Sequence, residues 1–478
     1  GGDSAVEKLL AMAQEIDNVE GETTPAMQEK LLTVLQAMAD ITGKGNRDRR
    51  IYNTVVQYLE HAGPEFRQAA VRGVAAYGGR NAVSELRPML QEEKNERVLI
   101  TLVENLNSLG DPSVVPAFTN LLGIPGTSTR VKVETIRAIG ENEHGARAVT
   151  SIMDHLSSSS EELREVTAEA IRTLYKEESK TVVGGLTRGV VQSDDELFLK
   201  EATGLLAELA DEDSLGTLLK LVESPYPEVR KNVTWGLYRI RPEDNTRVVS
   251  ELQKLVTSQT EPLEVRINAV RALGAIGTDS GRLDVEKTLT TSLKLNAPEY
   301  TMLRYYSIRS LADLPGLREE TLKELERTAA SREPLVVRTA ALDALRKNGN
   351  PTERRTSTVA GIAKRSDEPE LQLSALKMLG DYGAAQAVSV ARLVLEGDPD
   401  QDTLMETAYA LSRVKSEEAL SLLINIAARE EMRDFAMGIL TDADPELLEQ
   451  VVRRRIKTEK DQQIKSVLQN LQSEVTLQ

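Results

Sequence analysis

In the stretch EVRINAVRALGAIG, Glu264 to Gly277, apolar residues surround two arginines at a spacing that recurs along the chain. Counted from Arg266, alanine falls at +3 (Ala269), a small residue at +6 (Ala272), leucine at +7 (Leu273) and glycine at +11 (Gly277). Positions +3 and +7 share one helical face, so the pattern predicts a helix with a single apolar stripe, stopped by glycine. The template also fits FRQAAVRGVAAYGG, with Arg67, Ala70, Val74 and Gly78 in its slots, and LQLSALKMLGDYG, with Gln372, Ala375, Leu379 and Gly383. VKVETIRAIG supplies Lys132, Thr135 and Ile139, and LREVTAEAIRTL supplies Arg164, Thr167 and Ile171.

Weaker copies begin at Leu99, Lys200, Arg230, Arg304, Arg338, Leu404, Arg433 and Lys465. The thirteen anchors from 67 to 465 recur about every 33 residues, a period that marks an array of structural repeats. Between anchors lies a second helical pattern, as in PSVVPAFTNLL (Pro112 to Leu122), DSLGTLLKLVE (Asp213 to Glu223) and EEALSLLINIAA (Glu417 to Ala428). Each starts near Asp, Ser, Glu or Pro, which suit a helix N-terminus. Every unit therefore reads as helix A, short turn, helix B. Residues 4–19, 26–42 and 48–62 predict three further helices ahead of Arg67.

A second helix of the form xVRxxAxxALGxxG, at this period and after a Pro- or Asp-led first helix, resembles the HEAT repeat family, in particular its short bacterial HEAT-like members. The resemblance covers nearly the whole chain and weakens toward Leu404 and Arg433. It implies an all-α fold, a right-handed α-solenoid of about fourteen helix pairs whose second helices line the concave face. It also implies an N-terminal tether and capping pair over 1–45, a repeat solenoid over 46–443 and a C-terminal capping repeat over 444–478. Ankyrin and tetratricopeptide arrays have similar periods, but their signature residues are absent.

Composition agrees with this reading. Aromatic residues make up 3% of the chain, with one tryptophan (Trp235), so the core must be aliphatic. The net charge of −16 disfavours general binding to nucleic acid or anionic lipid. The chain has no cysteine, which excludes thiolate metal sites, disulfides and cysteine nucleophiles, and fits a life outside the reducing cytosol. No apolar run approaches the ~20 residues needed to cross a bilayer. The opening GGDS resembles the flexible tether after the lipidated cysteine of mature bacterial lipoproteins, or else a cloning scar. The first reading carries the expectation of a lipid anchor ahead of Gly1 and a periplasmic or envelope-attached location; otherwise the location is cytoplasmic.

Candidate chemistry is sparse. His61, His144 and His155 lie in different units and are followed by Ala62, Gly145 and Leu156, so they lack the paired His-Glu motifs of HEAT-like iron enzymes. Asp398, Asp400 and Asp402 occupy the first, third and fifth positions of a calcium loop, but Thr403 and Tyr409 replace its glycine and glutamate. GKGNRD, Gly43 to Asp48, lacks phosphate-loop spacing. The sequon at Asn232 and Thr234 falls inside a predicted helix. No catalytic residue, cofactor or metal is expected. The anchor arginines read as structural, since in HEAT-type repeats a positive residue here commonly pairs with an acidic residue in the turn to form a ladder between units.

If +3 and +7 face the core, then +1, +5 and +8 face away from it. The +5 row runs Arg72, Glu104, Arg137, Glu169, Leu205, Trp235, Arg271, Arg309, Asp343, Lys377, mostly the mixed charge of a solvated face. Its middle differs, because Trp235 and Tyr238 come from one repeat, Arg271 from the next, and Tyr305 and Arg309 from the one after. Aromatic residues with arginine are the types that dominate interface energy. The expectation is a non-catalytic scaffold or adaptor whose Trp235, Tyr238, Arg271, Tyr305 and Arg309 bind an extended or acidic segment of another protein. The rival reading is an accessory subunit of a bacterial HEAT-like lyase or other enzyme complex.

Overall fold

The structure, a computed structural model, describes residues 2–18, 24–242, 246–276 and 281–477. Among the described residues every regular element is a helix. Two compact units result, Gly1–Ile240 and Arg241–Gln478. Among the described residues each is a short α-solenoid of seven helix pairs, in line with the fourteen expected.

Within the first unit the B helices Pro64–Tyr77, Glu96–Ser108 and Thr129–Glu141 stack in turn, as do Glu196–Leu209 and Pro227–Ile240. Within the second, Leu263–Ile276, Thr301–Asp313, Leu335–Asn348, Pro369–Asp381 and Gln401–Ser412 do the same. One pair cannot bury its apolar stripe alone, so neighbours share a continuous core. In the helix of Arg266, Ala269, Val270, Ala272 and Leu273 are all fully buried. A buried leucine or valine contributes about 1.5–3 kcal/mol, and every B helix supplies several.

The backbone gives the anchor a definition that the side chains alone did not. At Arg67, Leu99, Lys132, Arg164, Arg230, Arg266, Arg338, Gln372, Leu404 and Lys465 the anchor N–H donates to the carbonyl four residues earlier, closing the first turn of helix B. In the weak copy read on Lys200, Leu199 makes this bond, to Asp195. The register there is therefore shifted by one residue. Leu205 then occupies the small-residue slot rather than +5, and it is 3% exposed, which removes it from the solvent-facing row.

The slot at +8 is corrected too. A Cβ on Gly140 would lie 2.8 Å from the Cβ of Ala170, and one on Gly274 would lie 2.4 Å from that of Ser310. One on Gly380 would lie 2.6 Å from the Cα of Ala410, and one on Gly236 would lie 3.2 Å from the Cα of Ala207. In all four the +8 residue of one B helix meets the +6 residue of the next. In these repeats +8 therefore faces the neighbouring helix, and the small residue at +6 lets the two backbones approach.

Other expectations met the chain unevenly. Gly78 and Gly383 end their helices at φ +77° and +61°, where a side chain would be strained. Gly277 lies outside the described residues. Gly2, Asp3 and Ser4, read as the start of a flexible tether, open the helix Gly2–Asp17. The helix of Arg164 runs into the next A helix as Glu161–Gln192, with a single non-helical residue, Glu178 (φ −136°, ψ 67°), in place of a separate turn.

Candidate functional site

The anchors are structural, and the geometry shows how. The guanidinium of Arg67 donates to Glu93 at 2.7 Å and to the carbonyls of His61 and Ala62 at 2.8 and 2.9 Å. Arg164, Arg230 and Gln372 reach the same carbonyl, six residues back, at Ser158, Ser224 and Ser366. An amide can make that bond as well as a guanidinium, which explains glutamine at 372. Arg304 pairs with Glu333 at 2.7 Å, and Arg338 pairs with Glu368, both acids lying in the turn before the next B helix. The ladder between repeats is present at Arg67, Arg304 and Arg338, whereas Arg266 donates to the Val256 carbonyl at 3.0 Å and lies over the ring of Tyr300. Burial alone would raise the Glu93 carboxyl, but the bonds from Arg67 and from the backbone N–H of Asn95 hold it below its usual 4.5.

The histidines are occupied in turns and packing. His61 Nδ1 accepts from the Gly63 N–H at 3.0 Å, and its ring lies 4.2 Å from that of Phe66. Burial, followed by the charge of Lys132, lowers the pKa of His155. Among the described residues no cluster of His, Asp or Glu could hold a metal ion. Asp400 caps the helix Gln401–Ser412 by accepting the Thr403 N–H at 2.9 Å. Asn232 donates to the Lys200 carbonyl at 2.8 Å from within its helix, and Thr234 is buried.

The five residues read as partner-binding fall on both units. Trp235 and Tyr238 sit on Pro227–Ile240 in the first, half-buried, with ring centroids 5.2 Å apart. In the second, Arg271 lies on Leu263–Ile276, while Tyr305 and Arg309 lie on Thr301–Asp313. The Arg271 guanidinium rests 5.2 Å above the ring of Tyr306, and Tyr306 meets Tyr305 edge-on at 5.2 Å. Arg309 is exposed. Tyr306, at +2, was the residue missed, because only the rows at +1, +5 and +8 were followed. The second unit thus displays, on consecutive B helices, an arginine over a tyrosine ring beside a second tyrosine and an exposed arginine.

Residues 52–130 and 357–437 match the family described as HEAT repeats. These two segments are HEAT repeats. One matched segment lies in each unit. No curated protein matches the chain. Among solved structures, the karyopherin Kap121p bound to the extreme C-terminus of the protein phosphatase Cdc14p is 11% identical, with 98% of this chain and 64% of that one covered and a TM-score of 0.46. Kap121p bound to Pho4p gives 11% identity, 99% and 57% coverage, and a TM-score of 0.48. A homology model of the full-length AP-3 complex gives 11% identity, 100% and 93% coverage, and 0.46. The chain spans less than two thirds of the karyopherin.

Proposed function

We propose that this chain is a non-catalytic HEAT-repeat scaffold or adaptor that binds a segment of another protein on the solvent-facing side of its B helices. The observation that carries it is the cluster of Arg271, Tyr306, Tyr305 and Arg309 on two stacked B helices, since half-buried arginine and tyrosine in contact are the composition of an interface hot spot. Trp235 and Tyr238 offer the same residue types on the first unit.

The test is affinity capture from cells that express the native chain, with unaltered protein and the Trp235→Ala/Arg309→Ala variant as baits. The expected outcome is a protein retained by the first and lost by the second, with melting temperatures within about 2 °C of each other. A variant that melts lower and still captures would show these side chains to be packing elements.

A further inference from the structure

The first unit carries a groove on its A helices. It opens between Arg49–Val56 and Gly79–Glu92 and encloses about 760 Å³. Beyond Val56 the chain tightens, because the N–H groups of Gln57, Tyr58, Leu59 and His61 each donate three residues back, to the carbonyls of Thr54, Val55, Val56 and Tyr58. The groove runs beside this narrowed segment, along the side of Gly79–Glu92 that carries Glu85, Pro88, Met89 and Glu92. Those four positions fall at i, i+3, i+4 and i+7, one face of a helix.

Acceptors dominate the lining. Arg67 and Glu93, which take part in it, satisfy each other through two hydrogen bonds at 2.7 and 2.8 Å. That leaves Glu60, Glu85 and Glu92, all exposed and without an ion pair among the described residues, against the cation of Lys94. Pro88 adds a further acceptor. It has no N–H, so the carbonyl of Ser84, on the same wall, loses the donor that a continuous helix would supply. Between the acids, half-buried Val56 and Met89 and exposed Pro88 make an apolar middle. Among the described residues no group of carboxylates could hold a metal ion, so the complement of this lining is an organic cation with an apolar body.

We infer that this groove docks a basic helical segment of another protein, with lysine or arginine at its positions i and i+7 and apolar side chains between them. It goes beyond the scaffold reading by adding a surface on A helices of the first unit. Glu85 and Glu92 are seven residues apart, about 10.5 Å along the axis of their helix. A partner helix laid beside Gly79–Glu92 presents i and i+7 at the same interval and within about 20° of each other around its axis, so both cations reach the two carboxylates together. An extended segment does not match. The residue about 10 Å along it is i+3, which points to the side opposite i. In the helical fit the aliphatic stems of the basic residues lie on Val56 and Met89, with their charged heads at the carboxylates and the Ser84 carbonyl. The partner's apolar residues at i+3 and i+4 meet Pro88, and Glu60 on the opposite wall takes a third cation.

The probe is a capped, fluorescein-labelled helical peptide of alanine and glutamine with lysine at i and i+7 and leucine at i+3 and i+4, titrated with the full chain and read by anisotropy. Its isomer carries the lysines at i and i+9, on opposite sides of the helix. The whole molecule carries −16 and the two peptides carry equal charge, so non-specific attraction treats them alike. The expected result is saturable binding of the first peptide, roughly tenfold tighter than its isomer and roughly tenfold weaker in Glu85→Gln/Glu92→Gln. Both acids are exposed, so that variant keeps its melting temperature. Glu177→Gln/Glu320→Gln removes two exposed acids outside the groove and should leave binding within about twofold. Glu85→Lys/Glu92→Lys should exchange the preference for the same peptide with glutamate in place of lysine. No binding of the first peptide, equal binding of its isomer, or an equal loss in the two glutamine variants would overturn the inference. The scaffold reading is tested separately, by capture through Trp235 and Arg309, and neither result decides the other.

Discussion

Arg355 is 1% exposed and donates to Glu326 at 2.7 Å and to Glu319 at 2.9 Å, while Arg354 closes on the far side of Glu326 at 2.8 Å. Among the described residues the charged side chains buried this deeply are Arg266, Glu286, Arg304, Glu326 and Arg355, and all belong to the second unit. Removing one partner strands a desolvated charge, so Glu326→Gln should destabilise the protein by about 3–5 kcal/mol in urea unfolding, whereas Glu326→Leu/Arg355→Met should recover most of it. Glu93 gives a pH signature. Its carboxyl titrates lower in the folded chain than in the unfolded one, so its stabilisation is complete above the unfolded value of 4.5 and is lost as pH falls through the folded value. The stability gap between the unaltered chain and Glu93→Gln should therefore be constant near neutrality and close on acidification below the unfolded value of 4.5. At this scale the sequence was legible where one position had one job. The anchors announced their acidic partners, because a basic side chain on the first turn of a buried helix must find an anion or a carbonyl nearby. Leu199 was missed because Lys200 beside it matched the expected charge, and the hydrogen bond that defines the anchor belongs to the backbone.

The helix is the unit at which stacking is decided. A glycine in mid-helix normally costs about 1 kcal/mol against alanine. Gly380 should invert that rule: its added Cβ would sit 2.6 Å from the Ala410 backbone, so Gly380→Ala should destabilise by roughly 1–3 kcal/mol through forced separation of two helices. Gly184 lies in a helix with only the flexible end of Arg188 near it, at 3.8 Å, and Gly184→Ala should stabilise by roughly 0.4–1 kcal/mol. Thermal melts of the two variants check the opposite signs. The small residue at +6 was visible in the sequence, but the reason for it was not, because it depends on the +8 residue of a different repeat. Likewise the merged helix Glu161–Gln192 escaped notice, since a pattern of two amphipathic segments looks the same whether a loop or one kinked residue joins them.

For the molecule as a whole, the number of helix pairs and the aliphatic core were readable from period and composition. The two segments that match the HEAT family flank a middle in which anchor spacing stretches to 36 and 38 residues, at Arg230, Arg266 and Arg304. Irregular spacing blurs a family pattern without altering the packing rule, since longer turns are accommodated outside the core. The separation into two units was not legible, because the repeats on either side of residue 240 share one grammar. The apolar joint between repeats uses −1, +3, +4, +6, +7 and +8 of each B helix, whereas −2, +1, +2 and +5 lie on the outward face and meet the next repeat only through polar or aromatic contacts such as Lys377–Glu406 and Arg271–Tyr306. Selection can therefore rewrite what a repeat displays without disturbing what it stands on. Lineages of such chains are free to diverge in whom they recognise while their architecture is inherited unchanged.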